Sequence, residues 1–168
     1  MKAIVAWAIA ALAAVHVANA SAADPCSLLS AGDASALLGQ SSVKSYPAGP
    51  EKDEDSPGQM SSCTYRSSVA PASALMVSVV EFRSDAEARK YLTKNLIQSR
   101  MDDDGAKVTE EGGIAERSFY GATARGAMYV FLKKNKVVGV GLGGSPPAKS
   151  AVPKEALLKT AQAVASKV

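Results

Sequence analysis

Residues 74–82, ALMVSVVEF, are apolar at both parities: Leu75, Val77 and Val79 point one way, Met76, Val80 and Phe82 the other. Successive side chains of a strand alternate between faces, so this segment belongs in the middle of a sheet covered on both sides. Residues 126–133 and 136–142 have the same character and read as a hairpin closed by Lys134-Asn135, with Asn135 as the residue that tolerates positive φ. Tyr129 and Phe131 share one face of its first arm, and Met128, Val130 and Leu132 the other. In the second arm Val138, Val140 and Leu142 oppose Gly139 and Gly141, a glycine face that invites close approach by a helix backbone.

The covering layers are legible as helices. Ser84-Asp85-Ala86-Glu87 is a capping box, followed by helical composition from Asp85 to about Met101 with Ala88, Leu92 and Leu96 as its inward stripe, flanked by Tyr91 and Ser99. Pro153 suits the first turn of a last helix carrying Leu157, Ala161, Val164 and Val168 on one side. At the other end, residues 24–39, DPCSLLSAGDASALLG, hold two short helical turns. Asp24 caps the turn begun by Pro25, Ser30 caps the next with Asp33 three residues on, and Gly39 stops it.

Between these lie weaker strands. Residues 40–46 suit a short one ended by Pro47, and residues 48–60, rich in Pro, Gly and charge, read as a solvated loop that includes the EKDED run. Residues 61–67 alternate, with Cys63 and Tyr65 on one face. A turn follows at Pro71; residues 107–110 form a short strand, Gly112-Gly113 a turn, and residues 118–123 a strand after an irregular Ile114–Arg117 segment.

The first twenty residues read as a secretory leader: Lys2, an apolar core from Ala3 to Val17, and the small-residue cleavage site Ala18-Asn19-Ala20, with a second site reaching Ala23. The apolar run is shorter than the roughly 20 residues needed to span a bilayer. Residues 24–168 then form one domain, with enough chain for a real core. The residues before Cys26, Ala23-Asp24-Pro25, lack the branched apolar residue of a lipid-attachment site, so a soluble protein in the periplasm or outside the cell is expected, without stable membrane insertion after cleavage.

Composition closes several chemistries. The chain has 19 Lys and Arg against 16 Asp and Glu, interspersed, and a net charge of +3 is too weak to call for nucleic acid. Its single histidine, His16, and its single tryptophan, Trp7, lie in the leader, so the body lacks the commonest general base and zinc ligand. Two cysteines in an oxidising compartment are most simply a structural disulfide, Cys26 to Cys63.

The motifs that could carry chemistry have plainer readings. Residues 139–144 spell GxGxxG, but Ser-Pro-Pro follows where a phosphate-binding helix would start. In residues 144–150, GSPPAKS, Ala148 stands where a P-loop needs its second glycine. Asp102-Asp103-Asp104-Gly105 fits a calcium loop poorly, because Arg100 falls at its first ligand position. A serine-lysine hydrolase could use Lys149-Ser150 or Ser84. Tyr65, Arg66, Arg117, Tyr120 and Arg125 are candidates for an interaction patch, since Tyr and Arg anchor interfaces. The competing reading packs the tyrosines in the core with their hydroxyls at its rim.

In order, the DPCSLLSAGDASALLG start, the CTYR strand, the helix after a long apolar strand, the GIAERSFY segment, the YVFLKKNKVVGVGL hairpin and the last helix resemble an uncharacterised family of small exported bacterial domains. That family has a Cys-Ser-Leu-Leu-Thr N-terminus and a Cys-Thr-Tyr strand. The resemblance implies an α+β fold of Mog1/PsbP-like architecture: a mainly antiparallel sheet of about five to seven strands with helices on both faces, an α/β/α sandwich. It also implies a disulfide between the two cysteines and no enzymatic activity.

The resulting expectation is an exported, non-catalytic binding or accessory module, with no cofactor or metal, and with an envelope or extracellular protein as partner. A hydrolase of unfamiliar type and a carrier of a small apolar ligand are the alternatives. A carrier requires an apolar pocket of several hundred Å³ between sheet and helix; a hydrolase requires a serine bonded to a buried lysine; an interaction module requires a surface patch.

Overall fold

The computed structural model describes residues 24–52, 56–67, 73–101, 105–144 and 152–168. Residues 1–23, expected to be a leader, residues 53–55 of the EKDED run, the Pro71 turn, the three aspartates 102–104 and the Ser-Pro-Pro and Lys149-Ser150 segment lie outside the described residues.

Asp24 Oδ1 accepts from Cys26 N at 2.9 Å and opens α1 (Pro25–Leu28), with Pro25 in its first turn. Ser30 Oγ accepts from Asp33 N at 3.0 Å and donates to Asp33 Oδ2 at 2.7 Å, capping α2 (Ala31–Leu38). Gly39 ends α2 at φ 61°, a left-handed conformation that costs least without a Cβ.

Seven strands follow: β1 (Val43–Lys52), β2 (Gln59–Ser67), β3 (Ser73–Glu81), β4 (Lys107–Glu110), β5 (Arg117–Ala122), β6 (Ala127–Lys133) and β7 (Lys136–Gly144). They form one sheet in the order β1-β2-β3-β7-β6-β5-β4, every pair antiparallel. The segments apolar at both parities, β3, β7 and β6, occupy its middle, where both faces must be covered.

Between β3 and β4 the chain forms α3 (Asp85–Tyr91) and α4 (Lys94–Met101), and after β7 it forms α5 (Lys154–Lys167). Leu28, Leu29 and Ala34 from the N-terminal helices, with Leu157, Ala161 and Val164 from α5, pack on one face against Cys63, Tyr65, Leu75, Val77, Tyr129, Phe131, Val138 and Val140. Ala88, Leu92 and Ile97 of α3 and α4 cover part of the opposite face, against Val80, Phe82, Val108, Phe119, Leu132 and Val137. The fold is therefore the α+β sandwich, an antiparallel sheet with helices on both sides. Cys26 in α1 is joined to Cys63 in β2, pinning the first helix to the sheet.

Four local expectations are corrected. Pro47 does not end the first strand: β1 continues to Lys52 through Pro47 and Pro50, with an irregularity between Ala48 and Glu51. It is an edge strand, where proline is tolerated because only one side of the backbone is paired. The expected single helix from Asp85 is two helices. Thr93 Oγ1 accepts from Leu96 N at 3.2 Å to start α4, and Arg117 Nη1 donates to the Leu92 carbonyl at the break, at 3.2 Å.

In a continuous helix Ile97 would sit about 140° around from Leu92. The break turns Ile97 into the core at 4% exposed, and leaves Leu96, expected in the stripe, only half-buried. In the hairpin turn it is Lys134 that has positive φ, 55°. Asn135 instead bonds through Nδ2 to the Phe82 carbonyl at 2.7 Å, which explains its place there. Fourth, the glycine face of β7 is not filled by helix backbone.

Candidate functional site

One row of residues in register crosses all seven strands on the α3/α4 face: Tyr46, Thr64, Met76, Gly141, Met128, Gly121 and Val108. Glycines on either side of Met128 leave the middle of this row low. Met101, at the end of α4, comes down onto Gly121 so closely that a Cβ there would lie 2.5 Å from its sulfur. A Cβ on Gly141 would meet nothing closer than Met128, at 3.5 Å, with the Ala127 carbonyl at 3.9 Å; these are ordinary contact distances, so the space above that glycine is open.

The result is a groove between the sheet and α4. Its inner end, about 210 Å³, lies beneath α3 and α4 and is lined by Val80, Leu92, Ile97, Val130 and Val137 among others. Its outer end, about 460 Å³ and more open, reaches the β5–β6 turn at Thr123 and Arg125. Met76, Arg100, Met101 and Met128 line both parts, so the two are continuous. Met60 lines the inner end, and every methionine of the chain after Met1 therefore faces this groove. Thioether side chains are flexible and polarizable, and they adapt to the shape of an apolar occupant.

The charged side chains lining the groove are Arg100 and Arg125; among the described residues no carboxylate lines it. Arg100 Nη2 donates to Tyr91 Oη at 2.6 Å and its guanidinium lies 5.7 Å from the Tyr91 ring centre, which holds it over the groove. Arg125 is set by its turn: Thr123 Oγ1 accepts from Arg125 N at 3.1 Å and from Gly126 N at 3.0 Å. The apolar surface continues outward to Met76 and Tyr46, 40% and 48% exposed, with Arg66 stacked 5.4 Å above the Tyr46 ring.

The five residues expected to form an interaction patch do not come together. Tyr65 is fully buried and donates to the Leu29 carbonyl at 2.5 Å, locking α1 onto β2. Burial, with the carboxylates of Asp24 and Asp33 nearby, pushes its hydroxyl up to about 12. Arg66 is exposed beside Tyr46. Arg117 forks onto Glu110, at 2.7 and 3.0 Å, and caps the Phe119 ring; that hydrogen bond holds the Glu110 carboxyl below its ordinary range. Tyr120 stacks on Tyr129 on the opposite face of the sheet, 4.9 Å between centres. Only Arg125 reaches the groove. The failure is physical: β-strand parity sends Tyr65 and Tyr120 to the face covered by α1, α2 and α5.

A second polar cluster surrounds Glu111, which accepts from Lys154 Nζ at 2.5 Å, Thr109 Oγ1 at 3.0 Å and Tyr129 Oη at 3.1 Å. Burial opposes its charge, yet these three bonds outweigh burial and hold its carboxyl below the usual range, while burial and Glu111 together push the Tyr129 hydroxyl well up. Lys154 also sits 4.4 Å from the Tyr120 ring centre. Each member of this cluster serves to tie the start of α5 to β4 and β6.

Of the serine-lysine nominees, Ser84 is the cap of α3, accepting from Glu87 N at 3.2 Å. Lys133 and Lys167 donate to the carbonyls of Ala165 and Leu28. Residues 139–143 lie within β7, and Gly139, Gly141 and Gly143 line the groove floor. No group of three or more metal-ligating side chains is found among the described residues. No helix among them is long and apolar enough to cross a membrane.

Fold and site together define the class: a disulfide-pinned antiparallel α/β/α sandwich with a methionine-lined groove on the face opposite the disulfide. The chain is similar in fold to the extracellular domain of PknH from Mycobacterium tuberculosis, with a TM-score of 0.54 and 12% identity, over 84% of this chain and 94% of that one. No family model matches the chain, and no curated protein matches it. The buried Cys26–Cys63 bridge is the covalent chemistry of an oxidising compartment, as fits an exported protein.

Proposed function

We propose that this is an exported, non-catalytic binding module of the periplasm or the extracellular space, and that its binding site is the groove between β3, β7, β6 and α4. One observation carries the reading: the groove converges all four body methionines on a glycine floor that no helix backbone fills. Its size falls within the roughly 300–1,000 Å³ range of small-molecule sites. The binding-module and carrier readings of the sequence thereby become one. The resemblance to exported bacterial domains without catalytic motifs agrees with it, and the serine-lysine alternative gains no support from the bonding of Ser84, Lys133 or Lys167.

The test uses a neutral apolar fluorophore, N-phenyl-1-naphthylamine, titrated into the exported protein. Saturable binding with a blue shift is expected. Gly141→Phe, which projects a ring into the open space above the floor, is expected to abolish it while leaving the circular dichroism and disulfide unchanged. Wild-type protein that does not take up the probe, or a Gly141→Phe protein that binds it equally well, would refute the reading.

A further inference from the structure

We propose that the thioethers of Met76, Met101 and Met128 form a site for one soft monovalent cation, Cu(I), at the middle of the groove. The site stands on the three sulfurs and holds whether or not the groove also takes an apolar molecule. Groups of His, Cys, Asp and Glu that could hold a metal are absent among the described residues, so the donor set here is sulfur alone.

The sheet register brings the three together. Met76 in β3 and Met128 in β6 are both paired with Gly141, so their backbones stand about 10 Å apart with a bare glycine between them. A methionine sulfur reaches nearly half that distance from its own Cα, so two thioethers meet over Gly141. Met128 leans that way: its terminal methyl lies 3.7 Å from the position of a Gly141 Cβ. On its other side Met128 is paired with Gly121, and there Met101 Sδ rests on the sheet, 2.5 Å from the position of a Gly121 Cβ. The two glycines thus make room for sulfur on either side of Met128. All three methionines line the wider, outer part of the groove, and Met76 is 40% exposed, so an ion enters from solvent. Met60, paired with Val80 nearer the inner end, stands outside the set.

Chemistry selects the ion. Thioether sulfur is a soft, uncharged donor that favours Cu(I), whereas Mg(II), Ca(II) and Mn(II) take carboxylate and carbonyl oxygen. Among the described residues no carboxylate lines the groove and no cysteine is free, and residues 24–168 contain no histidine. The donors that suit Zn(II) and Cu(II) are therefore missing as well. A soft ion is held by covalency to sulfur, so the site needs no neighbouring acid.

The experiment titrates the exported protein, its disulfide intact, with Ag(I), a redox-inert stand-in for Cu(I), in chloride-free buffer. Calorimetry reads the affinity, and NMR of methyl-labelled methionine reads the ligands. One equivalent is expected to bind and to shift the methyl resonances of Met76, Met101 and Met128 together, with Met60 moving least. Zn(II) and Ca(II) should bind at least about a hundredfold more weakly. Outer-shell partners of a metal ligand are already worth roughly 10–100-fold in affinity, so Met76→Leu, Met101→Leu and Met128→Leu should each weaken Ag(I) at least about tenfold, and Met60→Leu should not. Leucine nearly conserves volume, so unchanged circular dichroism and uptake of N-phenyl-1-naphthylamine separate loss of sulfur from loss of fold or groove. Cu(I), supplied with ascorbate and competed against bicinchoninate, should follow Ag(I) across the same variants.

Absence of Ag(I) binding, binding that survives the three substitutions together, or equal binding of Zn(II) overturns the site. Ag(I) that binds where Cu(I) does not overturns the choice of ion. None of these outcomes touches the groove reading, which falls only if the apolar probe does not bind or ignores Gly141→Phe.

Discussion

Removing the Cys26–Cys63 bridge tests how the first helix is held. The two cysteines are 37 residues apart, and on the chain-entropy argument a cross-link over that separation stabilises by about 4 kcal/mol. Leu28 and Leu29, each 3% exposed, depend on α1 staying in place. Among the described residues its remaining hydrogen-bond tethers are those of the Tyr65 hydroxyl to the Leu29 carbonyl and, at 3.4 Å, to the Cys26 carbonyl, and that of Lys167 Nζ to the Leu28 carbonyl at 3.0 Å. Cys26→Ala with Cys63→Ala is therefore expected to fold but to lose about 3–4 kcal/mol, a fall in Tm of roughly 10 °C for a domain of this size. Urea unfolding followed by circular dichroism and tyrosine fluorescence measures it. The midpoint should fall and the m-value should rise, because the unlinked unfolded chain exposes more surface. Wild-type protein reduced with dithiothreitol should match the double variant. A loss below about 1 kcal/mol in both would refute the claim that the bridge restrains the unfolded chain.

Tyr65→Phe should cost about 1–2 kcal/mol in urea, since the Leu29 carbonyl loses its buried donor. Because the Tyr65 pKa is raised to about 12 in the folded state, its contribution is fully present below the ordinary tyrosine value and lost as pH rises from about 10 to about 12, by up to about 3 kcal/mol. Wild type should show that alkaline decline in thermal melts and Tyr65→Phe should show less of it. Glu111 is depressed, so its stabilisation is present above the ordinary carboxylate range and lost as pH falls through it. Glu111→Gln should lower the neutral-pH melting temperature and flatten the acid limb, and an unchanged acid limb would count against the Lys154 link. Ile97→Ala should cost about 2–4 kcal/mol and Leu96→Ala less than half as much; the reverse order in urea unfolding would show α3 and α4 to be one continuous helix.

The parities of β3, β6 and β7 are written in alternations that need no tertiary context, because a strand buried on both sides must be apolar on both. The caps at Asp24, Ser30 and Ser84 and the stop at Gly39 are equally local. Where expectation departed from structure, a distant group intervened. Arg117, from β5, takes the Leu92 carbonyl at the helix break, and the unpaired outer side of β1 accepts Pro47 and Pro50. The groove has a faint local signal: Met76, Met128 and the glycines of β7 each fall on one face of their own strand.

What the chain's order of residues determines alone is therefore which segments are strands and helices, which two faces each presents, that the body lacks histidine, and that its two cysteines suit a bridge. That those faces belong to one groove was decided only by folding. Met60, Met76, Met101 and Met128 are far apart along the chain, and they meet because β3 pairs with β7, β7 with β6, and α4 ends above Gly121. Strand order is set by long-range pairing, which no local alternation encodes, and a cavity is a property of what several elements leave unfilled between them.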